Sequence, residues 1–327
     1  MPTLRQFRDP ARPRIVFAHA AYGLGQAFER RSSGFPYAEV RTADALAVEM
    51  PNADVVVSSG LWRNELLALA PHLTLLQSIS VGINNFDLVL FRAAGIRLAN
   101  ASGANAVAVA EHALALMLAL TRHIHHARDN QAKRYWRPMI GDAAARESEL
   151  NGKTLLVVGL GAIGERIAGL GKAFGMHVIG TRRTASLGSR HADQVVNDTQ
   201  LAAVLPSADV VVLACPLTPE TERMIDARAL RAMKRTAVLI NVARGRVVDE
   251  AALIDALRDG RIAAAGLDVT WDEPLPDASA LWTMPNVLVT PHSAGETQAY
   301  EERIIDLALE NIARIQMGRA DLANQIV

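Results

Sequence analysis

The sequence predicts an α/β protein of two domains, each a doubly wound parallel sheet with helices on both faces. Three observations lead to this prediction. The chain has 327 residues, which is about twice a typical domain of ~150 residues. Half of its residues are hydrophobic, enough for two cores. Short runs rich in valine, isoleucine and leucine alternate with helical patterns, as is typical of parallel strands covered on both sides by helices.

The predicted elements follow in chain order. Strands are expected at residues 14–17, 54–58 and 73–78, and then at 154–158, 177–180, 210–213, 237–242, 265–269 and 287–289. Helices are expected at 162–174, 220–233, 250–259 and 298–317, with a long apolar helix at about 105–128 between the two sets of strands. Because the last helix follows the last strand of the second set, we expect it to cross back onto the first domain.

Charge and cysteine content narrow the class of protein. Thirty-four basic residues balance thirty-four acidic ones, so no general field attracts nucleic acid or an anionic membrane. Cys215 is the only cysteine, which excludes a disulfide framework. The N-terminus lacks the apolar core of a secretory signal. The most apolar stretch is interrupted by Glu111 and His112 and is shorter than the ~20 residues of a membrane span. We therefore expect a cytoplasmic protein that binds neither nucleic acid nor membranes.

A glycine-rich turn follows the predicted strand at 154–158. The stretch VVGLGAIGERIAG places Gly159, Gly161 and Gly164 in the spacing GxGxxG. The first glycine permits a tight turn, the second lets a pyrophosphate approach the backbone, and the third allows the helix to pack closely on the strand. The helix then offers free N–H groups to the phosphates. The sequence predicts a dinucleotide-binding turn of the Rossmann type, although turns that bind no nucleotide also carry this spacing.

Polar side chains follow three later strands. INVARGRVVDE places Arg244 after one strand, GLDVTWDEP places Asp268 at the end of the next and Glu273 shortly after it, and TPHSAG places His292 after the last. Because ligands of an open parallel sheet bind beyond the carboxyl ends of its strands, we expect these segments to converge beside the cofactor.

The chemistry of these side chains is complementary. An arginine forks onto a carboxylate, and a histidine exchanges a proton near neutral pH. A carboxylate beside that histidine favours the charged imidazolium and fixes its ring. Such a set would hold a 2-oxo acid and protonate its carbonyl oxygen while C2 accepts a hydride from a nicotinamide. Taken singly, each residue also fits an ordinary surface or turn position, so spacing alone leaves its role open.

The stretch TRRT at residues 181–184 bears on the choice of cofactor. Arg182 stands 18 residues beyond Gly164, where an NAD-selective fold places an acid on the adenosine ribose. An arginine there accommodates a 2′-phosphate instead. Arg183 is expected to stack on the adenine, and Thr184 to donate a hydrogen bond. The pattern favours NADP(H), with NAD(H) still able to bind; the alternative is a solvated basic turn without preference.

Five motifs together resemble the D-isomer-specific 2-hydroxyacid dehydrogenases. They are VGLGAIGERIA, CPLTPET, INVARGRVVDE, GLDVTWDEP and TPHSAG, in order and with family-like spacing. The likeness extends upstream through SVGINNFD and covers about residues 73–297. It implies two Rossmann-like domains with an interdomain cleft: a substrate-binding domain of residues 1–100 plus 298–327, and a dinucleotide-binding domain of residues 101–297.

The resemblance also assigns roles to individual residues. It implies that Arg244 binds the substrate, that His292 is the acid–base residue and that Glu273 orients and charges His292. The backbone at Val81 and Gly82 would bind the substrate carboxylate. Further cofactor contacts implied by the family pattern are Val109, Gly159, Gly161, Ala162, Ile163, Gly164, Pro216, Thr221 and Asp268, and no metal site is implied. For Pro216, a role as strand terminator is the alternative.

The substrate and the activity are less sharply defined. SVGINNFD and the arginine pair are most similar to the glyoxylate/hydroxypyruvate and 2-ketogluconate reductase branch, which implies a small 2-oxo acid reduced to its (R)-2-hydroxy acid. Trp62 and Arg63 would either reach a longer or anionic substrate or lie on the surface. A nucleotide-sensing corepressor of the same fold is the alternative from another class, and a formate or phosphite dehydrogenase is a third. Family members commonly form homodimers, which we expect here.

Overall fold

A computed structural model describes residues 4–327, and its chain divides into two compact units. Unit 1 runs up to Asn105 and resumes over Thr297–Val327, and unit 2 is Ala106–Glu296. Each unit contains one parallel sheet. The fold class predicted from the sequence is confirmed.

The sheet of unit 1 has five strands. They are β1 (Ile15–Ala18), β2 (Tyr37–Val40), β3 (Val55–Ser58), β4 (Leu75–Ser78) and β5 (Arg97–Ala99), in the order β2-β1-β3-β4-β5. The helices between them are α1 (Leu24–Glu29), α2 (Ala43–Glu49) and α3 (Leu88–Ala94). Strands β1, β3 and β4 are buried along their whole length because they are covered on both faces, which explains the apolar run with which each begins.

The sheet of unit 2 has seven strands. They are β6 (Thr154–Val158), β7 (His177–Thr181), β8 (Gln194–Val196), β9 (Val210–Leu213), β10 (Val238–Asn241), β11 (Ala264–Leu267) and β12 (Val287–Val289). The order is β12-β11-β10-β9-β6-β7-β8. The helices are α4 (Ala106–Thr121), α5 (Ile124–Ala132), α6 (Ala162–Ala173), α7 (Leu201–Val204), α8 (Ala227–Ala232) and α9 (Glu250–Arg258). The order reverses between β6 and β9, and ligands of such sheets bind at this reversal.

The last helix, α10 (Tyr300–Gln316), returns to unit 1. Its buried face includes Ile304 and Ile312, which pack in one core with Phe17 and Val55 of the sheet. The expectation that this helix crosses back onto the first set of strands is confirmed.

The predicted helix at 220–233 is wrong over its first half. Only Ala227–Ala232 is helical, and Asp226 caps it by accepting a hydrogen bond from the Ala229 N–H. Upstream, the Thr221 hydroxyl donates to the Pro216 carbonyl at 2.7 Å and Arg223 has a φ of 52°, so the backbone turns. Ile225 then pairs with Val248 as an isolated parallel bridge. These tertiary bonds override the helical pattern of the sequence.

The predicted long helix at 105–128 is two helices. α4 ends at Thr121, α5 begins at Ile124, and the two axes differ by 70°. His123 stands between them in the left-handed region, with a φ of 52°. Within residues 4–327 no single helix is long and apolar enough to cross a membrane; only α4 and α5 taken together reach that length and hydropathy.

Candidate active site

The glycine turn joins β6 to α6. Gly159 has a φ of 99°, and a Cβ there would lie 2.8 Å from the backbone of Cys215. A Cβ on Gly164 would lie 2.0 Å from the Gly159 carbonyl oxygen. Gly161 differs, because nothing lies within 4 Å of its Cβ position. Two glycines therefore serve chain packing, and the middle one faces open space where a ligand fits.

The first turn of α6 is ready to bind an anion. Gly161 is its N-cap and contributes no side chain, while Ala162 and Ile163 follow as the first two helical residues. The N–H groups of a first helical turn have no intrahelical acceptor, and the helix dipole favours negative charge there. A pyrophosphate fits both the open space at Gly161 and these N–H groups.

His292 and Glu273 form an ion pair after adjacent strands. The Nδ1 atom of His292 lies 2.7 Å from Oε2 of Glu273. The other carboxylate oxygen of Glu273 accepts a hydrogen bond from the Thr270 N–H at 3.3 Å. The side chain of His292 is 46% exposed, so its second nitrogen, Nε2, is free to exchange a proton with a ligand. Orientation by a carboxylate on one nitrogen is the arrangement a general acid–base histidine requires.

Arg244 follows β10, the neighbour of β11. Its guanidinium donates to the carbonyl of Ala243 at 2.6 Å, and its own carbonyl accepts a bond from the Asn241 side chain. A Cβ on Gly245 would lie 1.8 Å from the Thr270 carbonyl oxygen. Only glycine lets the segment after β10 come this close to the segment after β11, which carries Glu273.

Asp268 is almost fully buried, with 2% exposure. Its Oδ1 atom accepts hydrogen bonds from the Thr290 hydroxyl at 2.7 Å and the Ser293 N–H at 3.0 Å, and Oδ2 accepts from the Ala294 N–H at 3.0 Å. An oxygen of a carboxylate has room for two such bonds, so Oδ2 retains space for one more donor. His112 joins this network through Thr290, at 2.9 Å, and sequence reasoning missed it. The available signal was a histidine, next to Glu111, within a mostly apolar helix.

The arginine turn lies beyond β7. The guanidinium of Arg182 donates to the Gly188 carbonyl at 2.6 Å and lies 3.9 Å from the carboxylate of Glu165. It lines an open cavity of about 770 Å³ together with Arg166, Arg190 and His191. Four basic side chains and one acid make this cavity suited to an anion. Arg183 and Thr184 are exposed and do not line it.

The remaining predicted cofactor residues differ in exposure. Val109 is 4% exposed and belongs to the core of unit 2. Pro216 is exposed, and Thr221 holds it in place by donating to its carbonyl. Next to Pro216, burial raises the pKa of the Cys215 thiol to about 12, so this side chain is a neutral packing residue.

In unit 1, Val81 and Gly82 follow β4. Their N–H groups donate to no atom of residues 4–327, while the Val81 carbonyl accepts a bond from the Asn100 side chain at 2.8 Å. The Val81 carbonyl thus holds the turn in place, and the N–H groups of Val81 and Gly82 remain available as donors.

Trp62 neither reaches a substrate nor lies on the surface, so both predictions for it are wrong. Its side chain is 1% exposed and packs against Phe86 and Phe91.

A second cavity, of about 450 Å³, lies at the opposite edge of the unit 2 sheet. It is lined by residues at the amino ends of β9 to β11 and by His123, His125 and His126. Burial, and then the neighbouring His125 and His123, lower the pKa of His126. This cavity is separate from the strand ends that carry His292 and Arg244.

Comparison with known proteins agrees with this arrangement. Residues 114–294 match the family model of the NAD-binding domain of D-isomer-specific 2-hydroxyacid dehydrogenases. A glyoxylate reductase of Aeropyrum pernix is 36% identical over 268 residues, covering 78% of this chain and 77% of that protein. A D-3-phosphoglycerate dehydrogenase of Mycobacterium leprae is 37% identical over 278 residues, which is 81% of this chain and 50% of that protein.

A solved structure shows the same likeness over nearly the whole chain. It is an NADPH-dependent glyoxylate/hydroxypyruvate reductase of Sinorhizobium meliloti, in complex with NADP and malonate. The TM-score is 0.77 at 28% identity, with 97% of each chain covered. The family match spans more than half of the chain, and the relatives named here are oxidoreductases. The chain belongs to the D-isomer-specific 2-hydroxyacid dehydrogenase family and is an oxidoreductase of that family.

Proposed function

We propose that this protein reduces a small 2-oxo acid such as glyoxylate or hydroxypyruvate to the (R)-2-hydroxy acid, with NADPH as its preferred cofactor and NADH as a weaker one. The observation that carries the proposal is the His292–Glu273 pair at 2.7 Å, which stands on the same edge of the sheet as the open glycine turn. The glyoxylate reductases among the relatives support the substrate class.

The residues present fit a nicotinamide dinucleotide. The pyrophosphate would lie at Gly161 and the N-terminus of α6, and the remaining acceptor position of Asp268 suits a carboxamide N–H. Val109, Pro216 and Thr221 are proposed as further contacts. When bound, the reduced cofactor supplies the hydride that C2 of the substrate accepts.

The chain's own side chains bind the substrate and supply the proton. Arg244 is proposed to fork onto the carboxylate and carbonyl oxygen of the 2-oxo acid. The free N–H groups of Val81 and Gly82 are proposed to bind the carboxylate as well. As the imidazolium, His292 donates its Nδ1–H to Glu273 and its Nε2–H to the carbonyl oxygen as that oxygen gains charge. In this proposal unit 1 serves substrate binding and unit 2 serves the dinucleotide.

The preference for NADPH rests on charge. Arg182 lines the basic cavity beyond β7, where an NAD-selective relative would carry an acid. A 2′-phosphate carries negative charge and several acceptor oxygens, which guanidinium groups bind well. Arg183 and Thr184, on the same turn, are proposed to contact the adenosine from the exposed side.

A second copy of this chain is the proposed protein partner. Trp136 and Met139, in the segment between α5 and β6, are 95% and 97% exposed. Tryptophan is highly buried on average and methionine is often fully buried, so two such exposed side chains in one segment favour a contact with another chain. We expect light scattering to give the mass of a homodimer, and the double variant Trp136→Ala, Met139→Ser to give a monomer. A wild-type protein that is monomeric at micromolar concentration would contradict this.

Removal of the acid–base residue tests the proposed function. We expect wild-type protein to oxidise NADPH in the presence of glyoxylate or hydroxypyruvate, with 2-ketogluconate and 3-phosphohydroxypyruvate as comparison substrates. His292→Ala should lower kcat by ~10²–10⁴, the usual contribution of a positioned acid or base. The absorbance of the reduced nicotinamide measures both. Near-normal turnover in His292→Ala would show that His292 is not the proton donor, and wild-type protein that binds NADPH but reduces no 2-oxo acid would favour the corepressor alternative.

A further inference from the structure

The backbone of His292 is held in an unfavourable conformation. Its φ of 52° lies in the left-handed region, which residues other than glycine seldom occupy. Such a conformation is strained and persists only where the surroundings fix it. One contact that fixes it is the His292 N–H, which donates to the Asp268 carbonyl at 2.8 Å.

The side chain of Asp268 fixes the next two residues. Its two oxygens accept the N–H groups of Ser293 and Ala294, each at 3.0 Å. Asp268 therefore holds three successive N–H groups, those of His292, Ser293 and Ala294, through its carbonyl and its carboxylate. The position of Asp268 therefore determines the position of the loop that carries His292.

Thr290 and His112 in turn fix Asp268. The Thr290 hydroxyl has one proton, which it donates to Oδ1 of Asp268 at 2.7 Å. Since that proton is used, the hydroxyl must accept in its contact with Nε2 of His112 at 2.9 Å. His112 therefore carries a proton on Nε2, and the same N–H lies 3.5 Å from Oδ1 of Asp268.

We infer that His112, on α4, is a positioning residue for the acid–base histidine, acting through Thr290 and Asp268 on the loop at residues 292–294. His112 touches no reacting atom in this account. Its N–H fixes the rotamer of Thr290, Thr290 fixes the carboxylate, and the carboxylate fixes the strained loop. The inference rests on the proposed function, because it takes His292 as the proton donor.

Four variants of the intact protein test this chain of contacts. Thr290→Val and His112→Phe keep volume but remove the hydrogen bonds, whereas Thr290→Ser and His112→Gln keep a hydroxyl and an Nε2 donor. Thr121→Val is the matched control, because the Thr121 hydroxyl is at least as buried as that of Thr290 but donates to the Met117 carbonyl within α4. For each variant we would measure kcat and KM with glyoxylate and saturating NADPH, the Kd of NADPH, the melting temperature and the pH profile of kcat/KM.

We expect Thr290→Val to lower kcat about tenfold to a hundredfold and His112→Phe about tenfold, since small displacements of a catalytic group have effects of this size. The pH profile of kcat/KM should also differ from that of wild type in both, because the loop that holds His292 against Glu273 is loosened. Thr290→Ser and His112→Gln should recover most of kcat and the wild-type profile, and Thr121→Val should match wild type in both.

Two results would overturn the inference. One is a lower melting temperature in Thr290→Val and His112→Phe with kcat and the pH profile within about twofold of wild type, which would assign the network to stability alone. The other is an equal loss in the Ser and Gln variants, which would show that the hydrogen bonds are not responsible. An active wild-type protein with an inactive His292→Ala variant separates this failure from failure of the proposed function, whereas inactive wild-type protein defeats both.

Discussion

The first strand of each sheet leads into a helix through a turn that contains glycine, but only in unit 1 does the first turn of that helix donate to a carboxylate of a neighbouring strand. In unit 2, β6 passes through Gly159 and Gly161 into α6, and the Cβ position of Gly161 faces empty space. In unit 1, β1 leads through Gly23 into α1, and Gly25 is the second residue of that helix. There the Gly25 N–H donates to the carboxylate of Glu39 at 3.2 Å. The chain's own acid occupies the place that a phosphate would take.

The two units also differ at the residue that follows the second strand of each sheet, which is an arginine in both. Arg41 follows β2 and donates to the His19 carbonyl at 3.3 Å while it pairs with Glu39 at 3.2 Å. Arg182 follows β7 and lines an open cavity with three other basic side chains. The same secondary structure with the same residue type thus gives a closed turn in one unit and a candidate anion site in the other. In unit 1 the carboxylate of Glu39 lies 3.2 Å from both Arg41 and the Gly25 N–H, whereas the nearest carboxylate to Arg182, that of Glu165, lies 3.9 Å away.

The largest expected effect comes from filling the open turn. Gly161 has extended backbone and free space at its Cβ, so Gly161→Ala should fold normally. Its methyl group would stand where the pyrophosphate approaches the backbone, and we expect the Kd of NADPH to rise at least about tenfold. Fluorescence titration of the reduced nicotinamide measures this.

Gly23→Ala is the matched control for that variant. Gly23 is the N-cap of α1, has the same φ of −91° as Gly161, and also has nothing within 4 Å of its Cβ position. The Kd of NADPH should not change. Equal weakening by both variants, or by neither, would contradict the assignment of the open turn to the pyrophosphate.

A loss of cofactor selectivity, without loss of the fold or of dinucleotide binding, is expected from a change in the arginine turn. Arg182→Ala should lower the NADPH-to-NADH ratio of kcat/KM about tenfold to a hundredfold, because a hydrogen bond to a charged group contributes about 1.5–3 kcal/mol. Arg41→Ala, at the equivalent place in unit 1, should leave the ratio unchanged. Steady-state kinetics with both cofactors measure it, and an unaltered ratio in Arg182→Ala would remove Arg182 from the selection of cofactor.

The sequence predicted the buried strands better than the edge strands. β3 and β9 are continuous apolar runs because helices cover both of their faces. β2, β5 and β8 were missed: each is an edge strand of its sheet, and Glu39, Arg97 or Gln194 interrupts its apolar pattern, whereas the edge strand β12, an uninterrupted apolar run, was predicted. Edge strands need less apolar sequence, so periodicity does not reveal the interrupted ones.

In the candidate site, too, the sequence predicted local features better than contacts between distant residues. The glycine spacing is local, and the structure gives each glycine of the turn a distinct position. The contact of His112 with Thr290 joins residues 178 apart in the chain and depends on α4 packing against the unit 2 sheet. The spacing of residues along the chain cannot predict such a contact. The prediction of a helix at 220–233 was wrong for a related reason, since the bridge from Ile225 to Val248 is a tertiary contact.

The most direct test of the central claim, that the open turn and its arginine serve a phosphorylated dinucleotide in 2-oxo acid reduction, is a side-by-side measurement of kcat/KM for NADPH and NADH at saturating glyoxylate. We expect turnover with both cofactors and a ratio of at least about ten in favour of NADPH. A ratio of one or less would contradict the role given to Arg182. Failure of the wild-type protein to oxidise either cofactor with glyoxylate, hydroxypyruvate or 2-ketogluconate would contradict the proposed function itself.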